Sequence, residues 1–126
     1  MATFGAPVTS ETHAPDAVRA GFRILEKIEE LAEAGAIPPI RVGIGLHTGQ
    51  ALAGNIGNEF RKQYSLTGTT VNIASRIEQL NKPFKSQFLI SDSVFDNIRE
   101  EGYSATSLGK VELKGIGSAI QIHRLA

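Results

Sequence analysis

The sequence predicts a single mixed domain of helices and strands, α+β or α/β in class. Three observations carry that expectation. Apolar residues recur at helical spacing from Val18 through Phe22, Leu25 and Ile28 to Ala32. Ile40, Val42, Ile44 and Leu46 alternate with Arg41, Gly43, Gly45 and His47, which is the period of a strand. Helical and extended patterns then interleave down to Arg124, with no internal repeat and no linker long enough to divide two domains.

Taken in order, Ala2 to Phe4 reads as the end of a strand that Gly5, Ala6 and Pro7 break, and a polar loop follows to His13. Pro15 is placed at the first helical position, where a missing N–H costs nothing. Arg19, Arg23, Glu26, Glu29 and Glu30 fall mostly off the apolar stripe, so the helix is expected to cover a sheet. Gly35 ends it, and Pro38 with Pro39 forbids its return. In the strand from Ile40, two of the four residues on the second face are glycine. Glycine weakens a strand, so it marks close approach by a ligand or by another backbone. Arg41 lies on that same open face.

Gly49 begins a turn, Ala51 to Ala53 reads as a returning strand, and Gly54 to Glu59 as a second turn-rich stretch. Phe60, Tyr64 and Leu66 mark another extended piece. Thr69 or Thr70 is expected to cap the next helix, whose apolar face holds Val71, Ala74, Ile77 and Leu80. Asn81, Lys82 and Pro83 stop it. Gln87 to Ile90 reads as a short strand. Ser91 is the expected cap of a helix from Val94 to Glu101, and Gly102 its terminator. Val111 and Leu113 alternate with Lys110, Glu112 and Lys114, and Gly115-Ile116-Gly117 turns the chain into a last strand, Ala119 to Arg124.

Bulk properties narrow the function classes. Length suits one domain, and a 41% hydrophobic content allows a real core. Thirteen basic side chains balance 13 acidic ones, so there is no electrostatic reason to coat nucleic acid or an anionic membrane. The chain has no cysteine, hence no disulfide framework, thiolate metal site or cysteine nucleophile. No apolar run approaches the roughly 18 residues of a membrane span, and the start lacks the basic n-region of a signal peptide. A cytoplasmic location is expected for this segment, whose parent could be membrane-anchored.

Two patterns carry chemistry. Asn72 and Arg76 stand four apart, so they share one helical face, opposite Val71, Ala74 and Ile77. An amide and a guanidinium pointing the same way can hold a ribose and an anionic phosphate, although spacing alone favours a solvated polar face. Lys114 precedes Gly115-Ile116-Gly117, where a phosphate can approach the backbone beside an ammonium, although hairpin turns use the same residues. Gly43-x-Gly45 is no dinucleotide fingerprint, because it sits inside a strand without a third glycine at the right spacing. His13, His47 and His123 are scattered, with no second ligand at metal spacing, and each reads as a surface or satisfied histidine.

Together, Met1 to Pro7, Arg41-Val-Gly-Ile-Gly-Leu-His-Thr-Gly49, Tyr64-Ser-Leu-Thr-Gly-Thr-Thr-Val-Asn-Ile-Ala-Ser-Arg76 and Leu113-Lys-Gly-Ile-Gly117 resemble successive blocks of the class III adenylyl and guanylyl cyclases, in the family's order and spacing. The resemblance runs almost from end to end, and the block from Tyr64 to Arg76 is its most specific part. It implies an α+β, ferredoxin-like cyclase core over residues 1–126, incomplete at its N-terminus. It also implies roles. Asn72 matches the asparagine that orients the ribose. Arg76 matches the arginine that stabilises transition-state charge. Lys114 and Arg41 match residues that hold phosphates. Ser65 falls where the family chooses its base; its hydroxyl can accept from an adenine amino group, which favours ATP over GTP.

The implied cofactor is Mg²⁺ or Mn²⁺, but the family's two metal-binding aspartates and its purine-selecting lysine lie upstream and have no counterpart here. Thr69 also replaces an aspartate common in relatives. The expected function is therefore nucleotidyl cyclase, most readily adenylate cyclase, as a homodimer and inactive as this chain alone. The alternatives are a guanylate cyclase, a non-catalytic cyclase-like dimerisation or regulatory module, and a ferredoxin-like small-ligand module.

Overall fold

A computed structural model describes residues 1–5, 11–49, 52–56, 63–67 and 69–126, and for 52–56 and 63–67 the backbone course alone. The elements are α1 (His13–Glu33), β1 (Ile44–Leu46), β2 (Leu52–Ile56), β3 (Gln63–Thr67), α2 (Thr69–Gln79), α3 (Asn81–Phe84), β4 (Phe88–Ser91), α4 (Asp92–Ile98) with a 3₁₀ turn at Arg99–Glu101, β5 (Thr106–Glu112) and β6 (Ala119–Arg124). Strands β1, β4, β6 and β5 form one mixed sheet in that order, with β1 parallel to β4 and the other pairs antiparallel. Strands β2 and β3 form a separate antiparallel hairpin.

Alternation along β4 explains the layering. Phe88 and Ile90 face one side and join Ala14, Val18, Val94 and Ile98 from α1 and α4. Leu89 faces the other side with Ile122 and meets Ile73 and Ile77 of α2. A strand buried on both faces has no polar side, and Phe-Leu-Ile reads as a continuous apolar run. The class is thus α+β, with helices on both faces of the sheet.

Several local expectations shift. No strand forms at Ala2 to Phe4, and the polar loop expected next lies largely outside the described residues. Helix α1 starts at His13, so Pro15 is the third helical residue rather than the first. It stays within the turn whose N–H groups lack helical partners, so the tolerance has the same cause. The first strand is shorter than the alternation suggests, covering Ile44–Leu46 alone. Strand β2 runs on to Ile56, through part of the stretch read as a turn. Ala51, Phe60 and Gly68 lie outside the described residues. Helix α2 begins at Thr69, so Thr69 and Thr70 are helical rather than preceding the helix, and Ile73 with Ile77 supplies its buried stripe. Asn81, Lys82 and Pro83 do not stop the helix outright; they form the extra turn α3, which ends at Lys85 in the left-handed conformation, φ 54°. Ser91 does not cap α4 with its side chain. Its hydroxyl is 2.7 Å from His47 Nδ1 and 2.9 Å from Ser93 Oγ instead.

The histidine readings hold for two of the three positions. His123 Nε2 is 2.8 Å from Asp92 Oδ1 and its ring stacks on Phe95, while His47 has the Ser91 partner.

Candidate nucleotide site

The two glycines of the first strand meet a backbone of this chain. A Cβ on Gly45 would overlap the Glu78 backbone nitrogen and stand 2.9 Å from the Ala74 carbonyl oxygen. On Gly43 it would stand 2.8 Å from Glu78 Oε1 and 3.1 Å from Asn81 Nδ2. The face read as open is therefore covered by α2. The same contacts orient the helix. Gly49 meets Thr70, Gly45 meets Ala74 and Glu78, and Gly43 meets Glu78 and Asn81. Helix α2 thus runs antiparallel to β1.

On that helix Asn72 is exposed, as an outward-facing residue four before Arg76 should be. Arg76 is half-buried and its Nη1 donates to Gln79 Oε1 at 3.1 Å. Asn72 lies toward the C-terminal end of β1, and Arg76 lies closer to the N-terminal end. Arg41 is exposed, and its Nη2 donates to the Lys85 carbonyl oxygen at 2.6 Å. Beside it, between the N-terminal end of β1 and the C-terminal end of α2, opens a cleft of about 410 Å³ lined by Arg41, Gly43, Glu78, Gln79, Asn81 and Lys82 among others.

Lys114 is exposed in the connection from β5 to β6, beside Gly115 and Gly117, whose φ values are 80° and 81°. Left-handed φ is the reason glycine is needed there. Ser65 belongs to β3, where it pairs with Gly54 of β2; its side chain is outside the described part of the structure.

Register fixes which of these residues can meet. Leu46 is level with Ile90, Ile90 with His123, and His123 with Ser107. Strands β1 and β5 run in the same direction at opposite edges of the sheet. Arg41 precedes β1 and Lys114 follows β5. At about 3.3 Å per residue and about 4.8 Å per strand, the two lie on the order of 40 Å apart. One chain cannot close both around one triphosphate.

Sequence reasoning missed Asn81, which is buried at 5% exposure. Its signal was present, a polar residue directly after an amphipathic helix, but it was read as a stop. Among the described residues no three His, Asp or Glu side chains stand together as a cation site.

Comparison with known proteins agrees with this architecture. A family profile described as the adenylate and guanylate cyclase catalytic domain matches residues 1–125. Adenylate cyclase 1 of Rhizobium meliloti (strain 1021) is 33% identical over 99% of this chain and 19% of its own length. Soluble guanylate cyclase 89Da of Drosophila melanogaster is 34% identical over 93% of this chain and 16% of its own length. The crystal structure of the adenylyl cyclase CyaB from P. aeruginosa superposes with a TM-score of 0.79 at 27% identity, over 98% of this chain and 64% of that one. That of the guanylyl cyclase Cya2 also gives 0.79, at 28% identity, over 98% of this chain and 62% of that one. The chain spans a fifth or less of these two curated relatives.

Proposed function

The chain belongs to the adenylate and guanylate cyclase catalytic domain family, and we propose that it supplies nucleotide-handling residues to a homodimeric adenylate cyclase. The observation that carries the dimer is the separation of Arg41 from Lys114 at opposite ends of the sheet. If both hold one triphosphate, they come from two protomers, and a two-fold axis then builds two such sites.

In each site Asn72 would orient the ribose so that its 3′-oxygen stands in line with the α-phosphorus. That oxygen attacks, the bond from the α-phosphorus to the bridging oxygen breaks, and pyrophosphate leaves while the hydroxyl proton passes to solvent. Charge grows on the non-bridging and leaving oxygens, where Arg76 would sit, and fixed cations lower that barrier. Lys114 of one chain and Arg41 of the other would hold the leaving phosphates. Ser65 would accept from the adenine amino group, which makes ATP the proposed substrate. Relatives carry both adenylate and guanylate cyclase names, so base choice rests on Ser65 alone. Mg²⁺ or Mn²⁺ belongs to the proposal only as a cofactor whose ligands come from outside the described residues, and no step here is routed through it. A second reading, which the same experiment separates, is a non-catalytic half that regulates a complete partner.

Mixed variants test the proposal. In the intact protein, Arg41→Ala and Lys114→Ala should each abolish most cyclic nucleotide production. Mixed, they should restore roughly a quarter of wild-type activity, because half the dimers are mixed and each mixed dimer holds one intact site. No recovery would sink the two-chain site. Absence of activity in the wild type, with activation of a complete cyclase on mixing, would establish the regulatory reading. A higher kcat/KM for GTP than for ATP would overturn the assignment of Ser65.

A further inference from the structure

The seat of α2 is held by a polar knot that neither the sequence motifs nor the proposed reaction accounts for. Asn81 Nδ2 donates to the Ile44 carbonyl oxygen of β1 at 3.0 Å and to the Glu78 carbonyl oxygen of α2 at 3.0 Å. Its Oδ1 accepts from Ser86 Oγ at 2.8 Å, and the Ser86 backbone N–H returns to the Asn81 carbonyl oxygen at 3.0 Å. Both amide hydrogens and the amide oxygen are thus committed, in a residue that is 5% exposed beside Ser86 at 3%. Only an amide donates twice and accepts once in this arrangement. A carboxylate would turn one oxygen on two carbonyl oxygens, and an alanine would leave buried acceptors unsatisfied.

The knot lies beside the closest contact between α2 and β1. Gly45 lets the helix backbone touch the strand, and Asn81 ties the last turn of that helix to the same strand. Steric contact sets the height of α2 above β1, and the two Asn81 donors set its position along its axis. Arg76 and Asn72 ride on this helix, one and two turns before the knot. Lys85, which closes the same loop, also gives its carbonyl oxygen to Arg41.

We propose that Asn81 is a positioning residue, which fixes the placement of Arg76 and Asn72 over the substrate through the axial register of α2. The inference rests on the cyclase reading for its kinetic consequence and on the hydrogen bonds for its structural one. Misplacing a catalytic group by about 1 Å can cost up to about 100-fold in rate, so a loss in kcat is expected well before the fold fails.

Three variants test it in the intact protein, Asn81→Ala, Asn81→Asp and Ser86→Ala, with kcat and KM referred to the folded fraction measured by circular dichroism. Asn81→Ala should lower kcat about 10-fold with KM for the nucleotide changed by less than about threefold, and Asn81→Asp should lower it at least as far. Ser86→Ala, which leaves both carbonyl contacts in place, should lower it less. Combining Asn81→Ala with Arg76→Ala should cost clearly less than the product of the two single losses, because part of the Asn81 effect acts through Arg76. Multiplicative losses, or a kcat per folded molecule equal to wild type, would overturn the proposal.

A second readout is independent of turnover. In isotope-labelled protein, Asn81→Ala should move the Arg76 side-chain N–H and Asn72 side-chain amide NMR signals, whereas Ser107→Ala on β5 should not. Unmoved signals would refute positioning even if the protein proves to be no cyclase. Moved signals in a protein without cyclase activity would retain positioning and remove the proposed reaction.

Discussion

Gly43 and Gly45 sit before and within β1, Gly115 and Gly117 in the connection between β5 and β6, and the same spacing serves a different purpose in each. At the first pair the constraint is space. Neither residue is among the positive-φ glycines, but a side chain would collide with α2, at Gly45 against backbone atoms that cannot move alone. At the second pair the constraint is conformation. Nothing stands within 4 Å of a Cβ at either residue, yet φ is 80° and 81°. The first pair lets the chain touch itself; the second leaves the backbone bare beside Lys114. A Gly-x-Gly in a sequence therefore says that a side chain is excluded without saying whether a neighbour or the torsion excludes it.

Substitutions separate the two causes. Gly45→Ala should be the most damaging, at about 3 kcal/mol or more, because α2 must lift from the sheet. Its urea midpoint should drop sharply, and a near-neutral result would mean that the helix does not rest on the strand. Gly115→Ala and Gly117→Ala should each cost about 1–2 kcal/mol through the left-handed torsion. Asparagine at either position should recover part of that loss, since it tolerates this torsion better; no recovery would point to contact instead.

Gly43→Ala should cost only about 1 kcal/mol. Its nearest neighbour is the end of the exposed Glu78 side chain, which can swing away, while Asn81 must give slightly. Shortening Glu78 in a Gly43→Ala, Glu78→Ala double variant should recover part of the loss. Lys114→Ala should change stability by less than about 0.5 kcal/mol, since the side chain is exposed. A large stability loss there would remove the contrast between a packed pair and a bare one.

The smallest effect concerns pH at the C-terminal end of β1. Burial lowers the pKa of His47 from its ordinary 6.5, while Ser91 Oγ lies 2.7 Å from Nδ1. The native state thus binds fewer protons at this residue than the unfolded state. Its contribution to stability is complete above about 6.5 and is lost as pH falls through the lowered native value. Denaturant midpoints between pH 8 and 5 should decline less steeply in His47→Gln than in the wild type. Equal slopes would show that His47 binds protons to the same extent in the native and unfolded states over that range.

Much of the architecture was legible because it follows from periodicity. The stripe from Val18 to Leu25 packs on the sheet, and Ala119 to Arg124 forms the last strand with the expected bounds. Boundaries were less legible where a local signal competes with tertiary contact. Ser91 has the right type for a cap, but the nearby His47 ring takes part of its hydrogen bonding. Asn81 has the right type for a stop, but the strand beneath supplies an acceptor that extends the helical course by one more turn.

For the candidate site, the sequence by itself determined which groups are present: Asn72 and Arg76 on one helical face, Lys114 beside two glycines, Arg41 ahead of the glycine-bearing strand. Local spacing is enough for that, because helix and strand geometry repeat every few residues. Only the tertiary structure decided that α2 covers the glycine face of β1 and that Arg41 and Lys114 stand at opposite ends of the sheet. Those relations depend on strand order and direction, which join residues far apart in the chain and leave no periodic trace within any one segment.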